Sequence, residues 1–353
     1  MTIKKILLCA VVAGSSGPAL ATAQSSVTLY GLVDVNIESF DNAPGGRSTG
    51  MRSGGQSGTR WGLRGSEDLG NGLKAVFQLE SGFSIRSGQG DASLFQRTAA
   101  AGLAGSWGEL TFGRQYTSSF LLATPFDPLG FSPQYSPSGR LVPVRADNAV
   151  RYSGRFGGVR VMGYYAFRNQ ADQISANASP TGSAGAAASY DSGVWGAVAA
   201  YDLVRGPVNS AVGDTDNYLV GAHARLGDAT LRAMYRYRTV EQVADSDIKS
   251  HMYALAFAYD VTPAATAELA YYREKFRSRP AGYLGTTDDT WQQYVLRGTY
   301  KLSKRTNLYA LAAHARNGAL NLGSHGEAGG PPYTLAAGKT HQTGLAIGMR
   351  HAF

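Results

Sequence analysis

Apolar and polar residues alternate along this chain from Val27 to its end. At the start, Val27, Leu29, Gly31, Val33, Val35 and Ile37 share one face, and Thr28, Tyr30, Leu32, Asp34, Asn36 and Glu38 share the other. At the end, Thr343, Leu345, Ile347, Met349, His351 and Phe353 alternate with Gln342, Gly344, Ala346, Gly348, Arg350 and Ala352. A period of two marks a β-strand whose two faces meet different surroundings. The pattern predicts sixteen strands, near 26–40, 58–66, 72–84, 95–105, 108–116, 147–155, 158–169, 184–191, 194–203, 216–226, 229–240, 249–259, 266–276, 289–301, 306–317 and 340–353.

The connections alternate in length. Tight turns fall at Glu67–Gly72, Gly105–Gly108, Arg155–Gly158, Asp191–Gly193, Leu226–Asp228, Asp260–Pro263 and Ser303–Arg305. Gly, Asp and Pro supply the backbone angles such turns need. The intervening connections are long: 41–57, 85–94, 117–146, 170–183, 204–215, 241–248, 277–288 and 318–339. A sandwich has no reason to sort its connections this way. A barrel inserted in one direction does, with turns in the periplasm and loops outside. The expected fold is therefore all-β: a sixteen-stranded antiparallel transmembrane barrel. Its last strand, ending on Phe353, would close the ring.

Composition sharpens this picture. No apolar run beyond the first 23 residues approaches the ~20 needed for a membrane helix. Gly is abundant at 45 residues and Tyr at 20, and charged residues are only 16%. Residues 1–23 read as a signal peptide: Lys4 and Lys5, an apolar stretch Ile6–Ala13, and a small-x-small cleavage site at Ala21-Thr22-Ala23. The barrel domain is then 24–353. The single cysteine, Cys9, lies in the signal, which leaves no thiol chemistry afterwards. Removing Lys4 and Lys5 lowers the formal charge from +8 to +6. For an exported chain this excess points to anionic lipid head groups and anionic solutes, not to nucleic acid.

If apolar positions face lipid, the alternate positions face the lumen. Arg60 and Arg64, Arg151, Arg232, Arg236 and Arg238, His223, Arg225, Arg297, Lys301 and Arg350 fall on that side, against fewer acids: Asp34, Glu38, Glu80, Glu268 and Glu274. A charge at the bilayer midplane would cost roughly 2–4 kcal/mol, so these residues require a wide, wet lumen. Collectively they make it electropositive; individually, each can equally serve only to solvate the wall.

The longest connection, Tyr116 to Asp147, carries Phe120, Leu121, Leu122, Phe126, Leu129, Phe131 and Tyr135. A loop this apolar is expected to fold inward and narrow the passage. Asp127 is its only acid before Asp147. It would either face the wall arginines across the passage or cap a proline-defined turn. Aromatic residues near predicted strand ends (Tyr116, Phe156, Tyr164, Tyr165, Phe167, Tyr190, Trp195, Tyr271, Tyr272, Trp291, Tyr300 and Tyr309) suggest interfacial girdles.

Several segments resemble a known family. They are Ser26–Gly31, Ser57–Gly70, Phe77–Glu80, Phe112–Gln115, Asn148–Tyr152, Leu302–Thr306 and Gly348–Phe353. Occurring in this order, they resemble the general porins of the Gram-negative outer membrane, of the beta-proteobacterial type. The resemblance implies a homotrimer, passive diffusion of small hydrophilic solutes and ions, and an inward-folded third loop forming a constriction with wall arginines. Arg60, Arg64 and Arg151 lie on matching strand positions, and Arg145 follows the third loop where family members often carry a basic residue. The third loop here has few acids, which departs from the common pattern and favours weak anion selectivity. Expected partners are outer-membrane lipid and lipopolysaccharide, solutes and ions, and the barrel-assembly machinery acting on the strand that ends in Phe353. No cofactor, metal cluster, phosphate loop or dinucleotide fingerprint is present in the sequence. The alternatives are a solute-specific channel and a barrel enzyme. The six histidines are scattered, and Ser324-His325-Gly326-Glu327 is the one suggestive local cluster.

Overall fold

A computed structural model describes residues 25–168, 182–207, 210–242, 246–324 and 332–353. The signal segment 1–23 and His325-Gly326-Glu327 lie outside the described residues. The described chain forms seventeen strands. The first nine are β1 (Ser26–Ala43), β2 (Gly46–Ser53), β3 (Arg60–Gly70), β4 (Leu73–Gly82), β5 (Thr98–Gly105), β6 (Gly108–Tyr116), β7 (Arg145–Phe156), β8 (Val159–Ala166) and β9 (Ser183–Asp191). The rest are β10 (Trp195–Val204), β11 (Val212–Leu226), β12 (Ala229–Gln242), β13 (Ile248–Thr262), β14 (Ala265–Ser278), β15 (Thr290–Lys301), β16 (Thr306–Arg316) and β17 (His341–Ala352).

All neighbours pair antiparallel and the sheet closes, β1 on β17. On its other side β1 meets two partners. Its loop-end half pairs with β2, from Val35↔Ser53 to Ala43↔Gly46, and its turn-end half pairs with β3, from Leu32↔Arg60 to Ser26↔Ser66. Strands β2 and β3 thus share one stave, and seventeen strands make a sixteen-stave barrel. The extra strand falls in the expected loop 41–57. Its sequence, GRSTGMRS, has Met51 as its one large apolar residue, so no period-two signal marks it. The backbone between β2 and β3 turns into the lumen. There the Asp34 carboxylate accepts from the N–H groups of Gly55, Gln56 and Ser57 at 3.2, 2.8 and 2.8 Å and from the Tyr309 hydroxyl at 2.7 Å.

The alternation read from the sequence is the pleat of the wall. Val27, Leu29, Ile37, Leu345, Ile347 and Met349 point outward and exposed, whereas Asp34, Asn36, Glu38, Gln342 and Ala346 are buried inside. The seam closes by backbone bonds in both directions between Gly31 and Phe353, at 3.1 and 3.0 Å. Glycine lets the Phe353 ring lie over the seam: a Cβ on residue 31 would stand 2.2 Å from that ring as it is placed. No sheet edge is left to template aggregation.

The girdle expectation needs correction at five residues. Phe156, Tyr190, Trp195 and Tyr300 are exposed near the turn end, and Tyr165 and Phe167 near the loop end. Tyr164, Tyr272, Trp291 and Tyr309 instead point inward and are buried, and Tyr116 lines the passage. Tyr164–Tyr165 and Tyr271–Tyr272 are neighbours on a strand, so the pleat sends one of each pair inside.

Candidate functional site

The connection after β6 folds into the barrel, as its apolar content requires. Thr117 caps a short helix, α1 (Ser118–Ala123), by accepting from the Phe120 N–H at 3.2 Å. Leu122, Phe126, Leu129, Phe131 and Tyr135 are all buried. Their partners are inward side chains of the wall, among them Met162, Val198, Leu219, Met234 and Met252. Gly221 leaves room for this docking: a Cβ there would sit 3.1 Å from Phe126 Cβ and Val198 Cγ1. Polar clamps fix the rest of the loop. Gln134 Oε1 accepts from Asn36 Nδ2 at 2.6 Å, Ser132 donates to the Gly55 carbonyl at 2.6 Å, and Gln293 donates to the Tyr135 carbonyl at 2.8 Å. Glu38 accepts from the hydroxyls of Tyr135 and Tyr333. Burial and the Glu38 charge push both phenols well above their ordinary value.

The loop covers the wall of β8–β15 and leaves a passage against β1 and β3–β7. This cavity measures about 1070 Å³. Five arginines (Arg60, Arg64, Arg97, Arg145 and Arg151) and two glutamates (Glu80 and Glu109) line it, a net +3. Both glutamates are engaged. Glu80 meets Arg97 at 2.7 Å and Arg60 at 3.3 Å, and also accepts from Tyr30 at 3.0 Å; Glu109 lies 3.8 Å from Arg151. Among the described residues, neither Arg64 nor Arg145 forms an ion pair. Arg64 stands over the Tyr30 ring at 5.2 Å, and Arg145 over the Tyr116 ring at 4.5 Å. The Tyr116 hydroxyl accepts from Arg97 at 2.6 Å and from Arg145 at 2.9 Å, gathering two like charges on one oxygen. The register of β6 on β7 slips between Gly113 and Gln115, and beyond this bulge Tyr116 and Arg145 are direct partners at the mouth of the passage.

Of the sequence-predicted site residues, the structure brings Arg60, Arg64, Arg145 and Arg151 together at this passage. It does not bring Arg232, Arg236 or Asp127 there. Arg232 meets Glu268 at 2.9 Å, and Glu268 also holds Arg297. Arg236 is fully buried and pairs with both oxygens of Glu274, at 2.7 and 2.9 Å. Asp127 is buried too. One oxygen accepts from the N–H groups of Leu129 and Phe131 at 3.1 and 2.8 Å and from the hydroxyls of Ser136 and Tyr272 at 2.9 and 3.3 Å. Its geometry is that of the turn cap, not of a carboxylate across the passage. Burial pushes its carboxyl up, against the pull of those hydrogen bonds.

Sequence reasoning missed Arg97, Tyr116 and Glu109 as lining residues. Arg97 shares the parity of Ala99, Ala101 and Leu103, which predicts an outward side chain; it precedes β5 and turns inward to Glu80 instead. The sequence does carry a signal for the covered sector. Met162, Val198, Leu219, Met234 and Met252 are apolar at lumen positions, and they mark where the loop packs.

Comparison with known proteins agrees with this geometry. A family model described as Gram-negative porin matches residues 8–320. The chain is 32% identical to outer membrane porin protein 32 of Delftia acidovorans, over 99% of this chain and 100% of that one. It is 30% identical to an outer membrane porin protein of Bordetella pertussis, over 99% and 100%. Among solved structures, an anion-selective porin from Comamonas acidovorans superposes with a TM-score of 0.80 at 27% identity, covering 94% of this chain and all of that one.

Proposed function

Since the chain belongs to the Gram-negative porin family, we propose that this outer-membrane channel passes small hydrophilic solutes by passive diffusion and prefers anions. Porins are channels and not enzymes. The observation that carries the ion preference is the passage lining, five arginines against two glutamates that are already paired. Rings of like charge bias which ions enter a narrow aqueous path. A similar structure at 27% identity is described as an anion-selective porin, which supports the same reading. In this proposal Arg60, Arg64, Arg145 and Arg151 form the basic side of the constriction, and Asp127, Arg232 and Arg236 hold the loop and wall opposite. We further propose a homotrimer, with lipopolysaccharide around it and folding through the barrel-assembly machinery, as the porin resemblance implies.

Planar-bilayer recording under a salt gradient tests this. The expected outcome is a reversal potential on the anion side, with currents rising in steps of three. A cation-side potential would overturn the ion preference. Independent single steps would overturn the trimer.

A further inference from the structure

The outer wall of β13 and β14 changes character abruptly near the loop end. Going up the outward positions of β14, Leu269 and Tyr271 give way to Arg273, Lys275 and Arg277; on β13, Leu255 and Tyr253 give way to His251 and Lys249. Register sets Tyr253 beside Arg273 and His251 beside Lys275. Together His251, Tyr253, Tyr271, Arg273, Lys275 and Arg277 line a cleft of about 290 Å³. Tyr235 bonds His251 Nδ1 at 2.8 Å and fixes the ring on one side of it.

Asp288 and Asp289 adjoin the loop end of this cluster, where Asp289 pairs with Arg279 at 3.3 Å, but three cations below it are left unpaired. Among the described residues, Arg273, Lys275 and Arg277 form no ion pair, and the buried Nε of Arg273 has no hydrogen-bond partner. The neighbouring outward positions on β12 are Tyr237 and Thr239, and those on β15 are Thr290 and Gln292. None of them is acidic. Acids return further away: Glu241 lies beyond Thr239 on β12, and Asp214 and Asp216 occupy outward positions on β11. A cluster of unpaired cations directly above a lipid-facing apolar column attracts anions at the height of the head groups.

We propose that Arg273, Lys275 and Arg277, with His251 beside them, bind the phosphate of a phosphorylated lipid headgroup in the outer leaflet. Phosphate suits this cleft because a planar guanidinium fork and an ammonium satisfy its oxygens together. The acyl chains would then run down over Tyr253, Tyr271, Leu255 and Leu269, where the wall is apolar. The proposal rests on the porin reading, which places the long connections on the outer side.

Full-length folded protein in detergent is mixed with diphosphoryl lipid A, with the same lipid dephosphorylated, or with inorganic phosphate, and bound lipid is counted by native mass spectrometry. The expected result is retention of diphosphoryl lipid A by the wild type. R273Q/K275Q/R277Q should lose about a hundredfold in affinity, at roughly fivefold per charge, while R273K/R277K, which keeps the charge but not the planar forks, should lose less. The dephosphorylated lipid should bind as weakly to the wild type as the phosphorylated lipid does to the triple variant. Millimolar inorganic phosphate should not displace the lipid. Equal binding by the triple variant, or by the dephosphorylated lipid, overturns the proposal, and full displacement by free phosphate makes the cleft a solute site instead. Single-channel conductance of the same preparations checks folding and the porin reading separately, because the cleft lies outside the passage. If the triple variant forms no channels, Arg273→Gln alone carries the comparison.

Discussion

Two walls of one lumen carry the same residue type to different ends. On β3, Arg64 stands exposed in the passage, and on β7, Arg145 lines the same passage part-buried against the Tyr116 ring; neither meets a carboxylate among the described residues. On β12, Arg236 also points inward, yet it is fully buried and clasped by Glu274. What separates them is the loop after β6. Where it covers the wall, water leaves and a guanidinium must be neutralised by a partner. Where it leaves the wall bare, water solvates the charge and its field stays available to passing ions. An inward arginine is therefore a functional charge only in the uncovered sector.

The largest test of that contrast is Glu274→Gln. It strands the Arg236 charge in a dry site, and breaking such a buried pair costs about 3–5 kcal/mol. The heat-denaturation midpoint of the barrel in detergent should fall sharply, while the reversal potential of surviving channels stays put. Adding Arg236→Met to the same chain should recover most of the loss. If Glu274→Gln shifts selectivity and spares stability, the two walls are not distinct.

Next in size is Asp127→Ala. It removes the acceptor of four hydrogen bonds, three within the loop and one from Tyr272 on β14. A buried donor left unmade costs about 1–3 kcal/mol. The expected readout is local: faster proteolysis within 117–144 and noisier open-channel current, with the barrel still intact. Quiet channels and an unchanged cleavage rate would show that the apolar side chains hold the loop alone.

Neutralising the bare wall should do the reverse of Glu274→Gln. R64Q/R145Q/R151Q should move the reversal potential toward cations, with the permeability ratio falling roughly fivefold, or ~1 kcal/mol. Thermal stability should fall less than in Glu274→Gln, because Arg64 and Arg145 have no carboxylate partner to lose and Arg151 gives up only a 3.8 Å contact with Glu109 and a bond to the Tyr116 carbonyl. An unmoved potential would remove these residues from the constriction.

Much of this was legible in the chain. Period two gave the strands and their inside and outside, because hydrocarbon and water impose opposite demands on alternate residues. Alternating connection lengths gave the sorting of tight turns to one end of the barrel and long connections to the other. The inward loop was legible from Phe126, Leu129, Phe131 and Tyr135, which no aqueous loop would expose. Three things were not. Strand β2 carries a single large apolar residue, Met51, too few to set up an alternation. Arg97 breaks parity because it precedes its strand. The burial of Arg236 depends on a loop over a hundred residues away in sequence, and its neighbour Met234 was the local hint that this sector is dry.

The smallest prediction separates the number of charges from their placement. Tyr116→Phe leaves every arginine in place but removes the oxygen on which Arg97 and Arg145 converge. Both guanidiniums would then lose one neutral-acceptor bond, worth about 1 kcal/mol or more to a charged donor, and Arg145 would keep its ring contact. Arg97 stays tied to Glu80, so only Arg145 gains freedom to swing. If selectivity follows net charge alone, the reversal potential of Tyr116→Phe should match the wild type at every salt concentration. If placement matters, the variant should lose selectivity sooner as salt rises, because the Debye length shrinks from ~10 Å at 0.1 M to ~3 Å at 1 M and only charges held close to the ion path still act. The passage geometry favours the second outcome: Tyr116 stands at the mouth beside both cations, so the phenol holds them at the path and does not merely count them.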